Sequence, residues 1–251
     1  MQKLGCVMAV MALAASGVAR ADDKADAQAL IAKAIKAMGG KEKLAAKQAF
    51  TFKTKGKFYG MGEGIDYTGE FAVQPPDKIH FQMDFEANAM KFNMVYVFNG
   101  KKGWIKLNDQ RNALDKDAVA EAREDMYAGH VEALVPLLKG KGFEFSPVGE
   151  VKVGEQAAVG IRVSHKGHRD INLFFDKKTG LLLKSERIIK AVMMGGKELT
   201  QERIFSDYKE IDGVKRAMKF LLNRDGKKYV VADVSDFETK DKIDDSEFAK
   251  P

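Results

Sequence analysis

The chain has 251 residues, 45% of them hydrophobic and 31% charged, which is enough apolar material for a full core and excludes wholesale disorder. Its 42 basic and 36 acidic residues give a formal net charge of +6. The two signs are interleaved with no long basic run, so nucleic acid is a poor partner, and a single cysteine excludes a disulfide-stapled scaffold.

Met1 to Lys3 is a short positive start, Leu4 to Val18 is almost continuously apolar or small, and Ala19 and Ala21 place small residues where a signal peptidase reads. Residues 1–21 therefore read as a secretory signal peptide, with cleavage expected after Ala21. The apolar run of about 15 residues is short of the roughly 20 that span a bilayer, which argues against an anchor. Cys6 precedes most of that run, which argues against a lipid-modified N-terminal cysteine. Removing Lys3 and Arg20 with the segment leaves 40 basic and 36 acidic residues, a net +4, and no cysteine. An exported chain without disulfides must be held by its core and its sheet, and it suits a periplasmic or secreted location.

From Asp26 to Met38 the residues Leu30, Ile31, Ala34, Ile35 and Met38 recur at spacings of three and four before Gly39-Gly40, which predicts an amphipathic helix with a glycine cap. A period of two then takes over. Ile79, Phe81, Met83 and Phe85 alternate with His80, Gln82, Asp84 and Glu86, so the first set is expected on an apolar face and the second in water. Similar readings predict strands near 48–59, 64–74, 90–98, 103–107, 157–165, 169–176, 181–190, 198–208, 214–223 and 227–237. Asn99-Gly100, Lys166-Gly167, Thr179-Gly180, Asp212-Gly213 and Asp225-Gly226 supply tight turns. One long interruption, Asp115 to Leu138, carries Val119, Ala122, Met126, Val131, Leu134 and Leu138 near one helical face. No linker separates the halves, so residues 22–251 read as a single α+β domain: one large curved antiparallel sheet, a helix before it and a helix inserted into it.

Motifs for chemistry are weak. Gly60-Met61-Gly62-Glu63-Gly64 lies between strands, where a phosphate loop would need a following helix, and Gly39-Gly40-Lys41 and Gly195-Gly196-Lys197 lack the Ser or Thr of a Walker loop. His165, His168 and Asp170 suggest a metal for hydrolysis, but a fourth ligand at a typical spacing is missing and a solvated hairpin tip is the preferred reading. Asp241, Asp244 and Asp245 lack the glycine and distal glutamate of a calcium loop and read as a solvated tail. No Gly-x-Ser-x-Gly elbow is present, and no enzyme, metal or cofactor is expected.

The apolar face itself remains. Phe50, Phe52, Phe58, Tyr67, Phe71, Phe81, Met83, Phe85, Phe92, Met94, Tyr96 and Phe98 crowd into the first four strands, either as a plain packed core or as the wall of a pocket for an apolar ligand. Ten or more strands covered by two helices leave concave surface to fill, which favours the pocket. The expected wall is Tyr67, Phe71, Phe81, Met83, Phe85, Phe92, Met94 and Tyr96, covered by the inserted helix through Met126.

The order of several turn motifs resembles a family. Pro75-Pro76-Asp77-Lys78-Ile79-His80-Phe81, Phe98-Asn99-Gly100-Lys101-Lys102-Gly103-Trp104, Phe174-Phe175-Asp176-Lys177-Lys178-Thr179-Gly180-Leu181-Leu182, Asp207-Tyr208-Lys209-Glu210-Ile211-Asp212-Gly213-Val214 and the ending Ile243 to Pro251 together are similar to outer-membrane lipoprotein-sorting proteins of the LolA/LolB type. The resemblance implies a half-open antiparallel β-barrel, here of about 11 strands, whose concave face is closed by helices and receives a lipid or an acylated lipoprotein, with no catalysis. It also implies an envelope location and transient membrane-surface contact. The rival reading is a periplasmic sensor that binds an envelope protein partner and carries no lipid.

Overall fold

The computed structural model describes residues 21–46, 49–139, 141–192 and 195–251. The signal-peptide reading, Cys6 included, thus lies outside the described residues except for Ala21, which opens the first helix.

Two helices, α1 (Ala21–Ala37) and α2 (Lys41–Ala46), precede β1 (Ala49–Phe58), β2 (Ile65–Gln74), β3 (Lys78–Ala87), β4 (Met90–Asn99), β5 (Gly103–Leu107) and β6 (Gln110–Ala113). After α3 (Lys116–Glu132) and α4 (Val135–Lys139) come β7 (Phe143–Val153), β8 (Gln156–His165), β9 (Ile171–Asp176), β10 (Leu182–Ala191), β11 (Lys197–Ile211), β12 (Val214–Arg224) and β13 (Lys227–Lys240). All 13 strands form one antiparallel sheet in the order β6-β5-β4-β3-β2-β1-β13-β12-β11-β10-β9-β8-β7. Hairpins make every connection but one, the helical insertion that leads from one edge of the sheet to the other, and the last strand, β13, pairs with the first, β1.

The sheet has two strands more than the sequence reading, and both are edges. β6 is Gln-Arg-Asn-Ala, wholly exposed, with no apolar period to detect. β7 carries Pro147 and Gly149, and its register slips between them, features that an edge tolerates and a central strand does not. The expected single helix over 115–138 is two. Leu134 sits at φ 64, which no continuous helix allows, and Pro136 then falls in the first turn of α4, where its missing N–H costs nothing.

Helix α1 and its cap bury Ile31, Ala34, Ile35 and Met38 of the predicted stripe, with Ala27 added and Leu30 only partly buried. Its end is fastened to the β11–β12 turn by Lys215 N–H donating to the Met38 carbonyl. Gly39 is required there: at φ 120, a Cβ would lie 2.3 Å from the Gly213 carbonyl oxygen.

One core holds α1, α2, α3 and α4 against β7 to β10, through residues such as Ile31, Val131, Leu134, Val163, Ile171, Leu173 and Phe175. A second, on the opposite face of β2 to β4, packs Ala72, Val95 and Val97 under Ile243 and Phe248. The tail is therefore a strap held by its two buried apolar residues, while Asp241, Asp244 and Asp245 stay exposed as expected. Asp244 caps a short 3₁₀ turn (Asp245–Phe248), Lys78 pairs with Asp245, and Phe248 is only 2% exposed. A buried phenylalanine outweighs the surrounding charges. The same strap corrects the reading of His80. It does leave the aromatic face, as alternation demands, but its Nδ1 lies 2.7 Å from Glu247 Oε1 beneath the strap instead of in water.

Candidate ligand-binding face

Strand register puts the predicted wall on one surface. Phe85 pairs with Tyr67 and Phe92, Met83 with Gly69 and Met94, and Phe81 with Phe71 and Tyr96. Directly paired residues share a face, so all eight predicted strand residues lie together, with Phe50, Phe52 and Phe58 of β1 alongside. This is the face on which the helices pack further along the sheet: the register runs from Tyr67 through Gly56, Ala232 and Phe220 to Phe205, whose ring touches the helix-covered core.

The two halves of that inner face are finished differently. Over β7 to β10 the helices close it. Over β12, β13 and β1 to β4 the described helices leave it half-open: Tyr67 and Met83 are buried, whereas Phe58, Phe71, Phe81, Phe85, Phe92, Met94 and Phe220 are each only partly buried. Within it runs a ladder of stacked rings. Phe71 lies 4.5 Å from Phe52 and 4.3 Å from Phe81, centroid to centroid, and Phe237 stacks on Phe50 at 5.4 Å. Phe237 was not foreseen, because strict alternation from Val230 and Ala232 places it on the other face. A bulge opposite Phe52, with Asp236 at φ 49, turns it inward.

Helix α3 is docked by charge as much as by packing. Arg169 bonds Glu121, Arg187 bonds Asp125, and Arg203 lies 2.8 Å from Glu132, which also accepts from Ser185 Oγ. Burial pushes the Tyr96 phenol well above its usual range, with Asp125 and Glu121 adding to the shift, so α3 reaches the edge of the aromatic set at Tyr96. Met126 does not join Phe92 and Met94. It lines a cavity of about 340 Å³ with Pro76, Asp77, Phe98, Gly100, Arg123, Tyr127, His130 and His168. A second cavity, about 480 Å³, lies at the other end of β3 and β4 beside Phe85 and Phe92.

That first cavity joins turns from opposite ends of the sheet, β2–β3 and β4–β5 with β8–β9. Eight strand-to-strand steps separate β4 from β9, and a twist of about 20–25° per step reverses the strand direction by roughly half a turn. The turn expected to be a solvated tip keeps Lys166 and Gly167 exposed but is docked through His168. His168 stacks on Tyr127 at 3.7 Å and its Nδ1 lies 2.9 Å from Glu124 Oε1. Burial, with Glu124 and Asp170 nearby, pushes the Tyr127 phenol up to about 12. Among the described residues no group of three or more His, Cys, Asp or Glu side chains is placed to hold a metal ion.

The architecture is that of the LolA-like open barrels, an open antiparallel sheet with few helices. Solved structures of other proteins share it. A LolA superfamily protein from Nitrosomonas europaea superposes with a TM-score of 0.55 at 12% identity, covering 89% of this chain and 97% of its own. A DUF1329 family protein from Desulfovibrio piger gives 0.51 at 13%, with 88% and 96% covered, and an outer membrane lipoprotein-sorting protein domain from Vibrio parahaemolyticus gives 0.51 at 13%, with 91% and 97%. At such identities the likeness is one of fold. No family model matches the sequence, and no curated protein matches it either.

Proposed function

We propose that this protein binds the acyl chain of a lipid or an acylated lipoprotein on its inner aromatic face and carries it through the periplasm. The observation that carries the reading is the half-open ladder of stacked phenylalanines on the surface that, further along the sheet, the protein covers with its own helices. Large partly exposed aromatic surfaces are costly in water and mark places where something else packs. Flexible Met83 and Met94 beside the rings adapt to a chain of no fixed shape. Burying a chain is worth about 0.8 kcal/mol per methylene, so a dozen methylenes offset association costs with enough left for micromolar affinity. The export segment read in residues 1–21 and the LolA-like fold point to the same compartment and the same class of cargo, and the reading assigns binding without catalysis.

Native mass spectrometry of protein purified from an envelope fraction tests it. Co-purifying lipid, or a mass shift on adding a long-chain fatty acid, is expected. An apo spectrum that no lipid shifts, together with a stable protein partner in pull-downs, would overturn the reading in favour of an interaction module.

A further inference from the structure

Every arginine side chain among the described residues is engaged except one. Arg111 donates to the Pro251 carbonyl, Arg123 to the Gly100 carbonyl, Arg162 to Asn172 and Arg224 to Gln201, while Arg169, Arg187 and Arg203 pair with carboxylates of α3. Arg216 makes no side-chain hydrogen bond or ion pair among the described residues, and its Nε is shut away from solvent without a partner. A guanidinium has five N–H donors and stays charged in proteins, so leaving it half-buried and unpaired is unfavourable unless something supplies the acceptor.

Its position says what that acceptor is attached to. Arg216 lies on β12, in register with the inner-face residues Met218 and Phe220, and its guanidinium carbon is 5.2 Å from the centre of the Phe237 ring. Phe237 leads into the ladder of Phe50, Phe52, Phe71 and Phe81. Lys209 is its partner across the strand pair, but its ammonium lies 3.7 Å from the Asp207 carboxylate, so Arg216 is the unpaired cation of the two. Asp212 attracts it from a distance but already accepts from the Thr239 hydroxyl, and burial still holds the guanidinium below its usual pKa.

We infer that Arg216 anchors the acidic head group, a carboxylate or a phosphate, of an acyl ligand whose chain lies along the phenylalanine ladder. The inference rests on the acyl-chain reading above and adds the chemistry of the head. A planar fork of donors matches both oxyanions, and the cation beside an aromatic wall suits the junction between a charged head and an apolar tail.

The test is titration, below micelle concentrations, of palmitate, hexadecanol and palmitoyl lysophosphatidate into the wild type, Arg216→Met and Arg216→Lys. Palmitate or the lysophosphatidate should bind the wild type about tenfold or more tightly than the alcohol, as expected for a charge-assisted hydrogen bond. Which of the two does so identifies a carboxylate or a phosphate head. Arg216→Met should lose that margin while its affinity for the alcohol is unchanged, and Arg216→Lys should keep part of it. If Arg216→Met fails to fold in urea melts, the wild-type margin and its shrinkage with added salt decide. Equal binding of acid and alcohol by the wild type, or an undiminished margin in Arg216→Met, overturns the anchor and leaves the acyl-chain reading standing. Binding of none of the three ligands removes both.

Discussion

Phe71→Ala separates a ligand wall from a solid core by magnitude. The Phe71 ring is sandwiched between Phe52 at 4.5 Å and Phe81 at 4.3 Å, yet the side chain is only partly buried. A fully buried phenylalanine costs about 3–5 kcal/mol when cut to alanine. Here one side of the ring is already open, so the loss is roughly halved to about 1.5–2.5 kcal/mol, the two ring contacts at about 0.5–1.5 kcal/mol each being already counted in the fully buried figure. The expected loss is about 2 kcal/mol, read as a lower urea midpoint at unchanged slope, or as a fall in Tm of about 4–8 °C for a domain of this size. Affinity for a long-chain fatty acid should fall about tenfold in the same variant, because the wall loses its central ring. A loss above about 4 kcal/mol with fatty-acid affinity intact would refute the reasoning and make the ladder ordinary core.

Three further outcomes follow from the same geometry. Met94→Asp should abolish apolar-ligand binding at a modest cost in urea melts, whereas Asp84→Asn on the opposite, exposed side should leave affinity unchanged. Phe248→Ala should cost about 3 kcal/mol by releasing the strap, and the single tryptophan, Trp104, packed against that cluster, should shift its emission to the red in unfolding-independent spectra. His130 is held below its ordinary pKa by burial first and then by His168 and His165, with Glu124, Arg169, Asp77 and Arg123 also facing the seam. Its neutral form is favoured by folding, so its contribution is complete above an unfolded value of about 6.5 and is lost as pH falls below it. Urea melts at pH 7.5 and 5.5 should therefore show a smaller acid loss in His130→Gln than in the wild type.

The apolar wall was legible because alternation is geometrically strict: once Phe81, Met83 and Phe85 share a face, register carries Phe71, Met94 and Tyr96 onto it. What escaped did so where another constraint interrupts the period. Asp236 turns Phe237 by a backbone bulge, which leaves no trace in a hydrophobic pattern. Leu134 has an ordinary helical identity and an extraordinary φ, so the helix break shows only afterwards, with Pro136 as its one clue. The destination of Met126 depends on the twist accumulated over eight strand pairs, a global quantity that local spacing does not contain. Likewise Phe248, in a tail dominated by charge, is one apolar residue whose burial is decided by Val95 and Val97 more than 150 positions earlier.

The two halves of the inner face also explain why α3 leaves the phenylalanine ladder open. Its acidic residues Glu121, Glu124, Asp125 and Glu132 are committed to Arg169, Arg187, Arg203 and His168 around β9 to β11. Pairs of this kind add little net stability, because desolvation cancels most of the attraction, but breaking one partner of a buried pair is costly, so they fix position. Sliding α3 toward Phe71 and Phe81 would strand these charges over aromatic rings and uncover Val131 and Tyr127, both now buried. The helix is therefore held to one half of the sheet by electrostatic register. On the acyl-chain reading, the molecule that covers the ladder brings apolar length without acidic side chains along it, and the proposed anchor at Arg216 would receive a single acid group at one end.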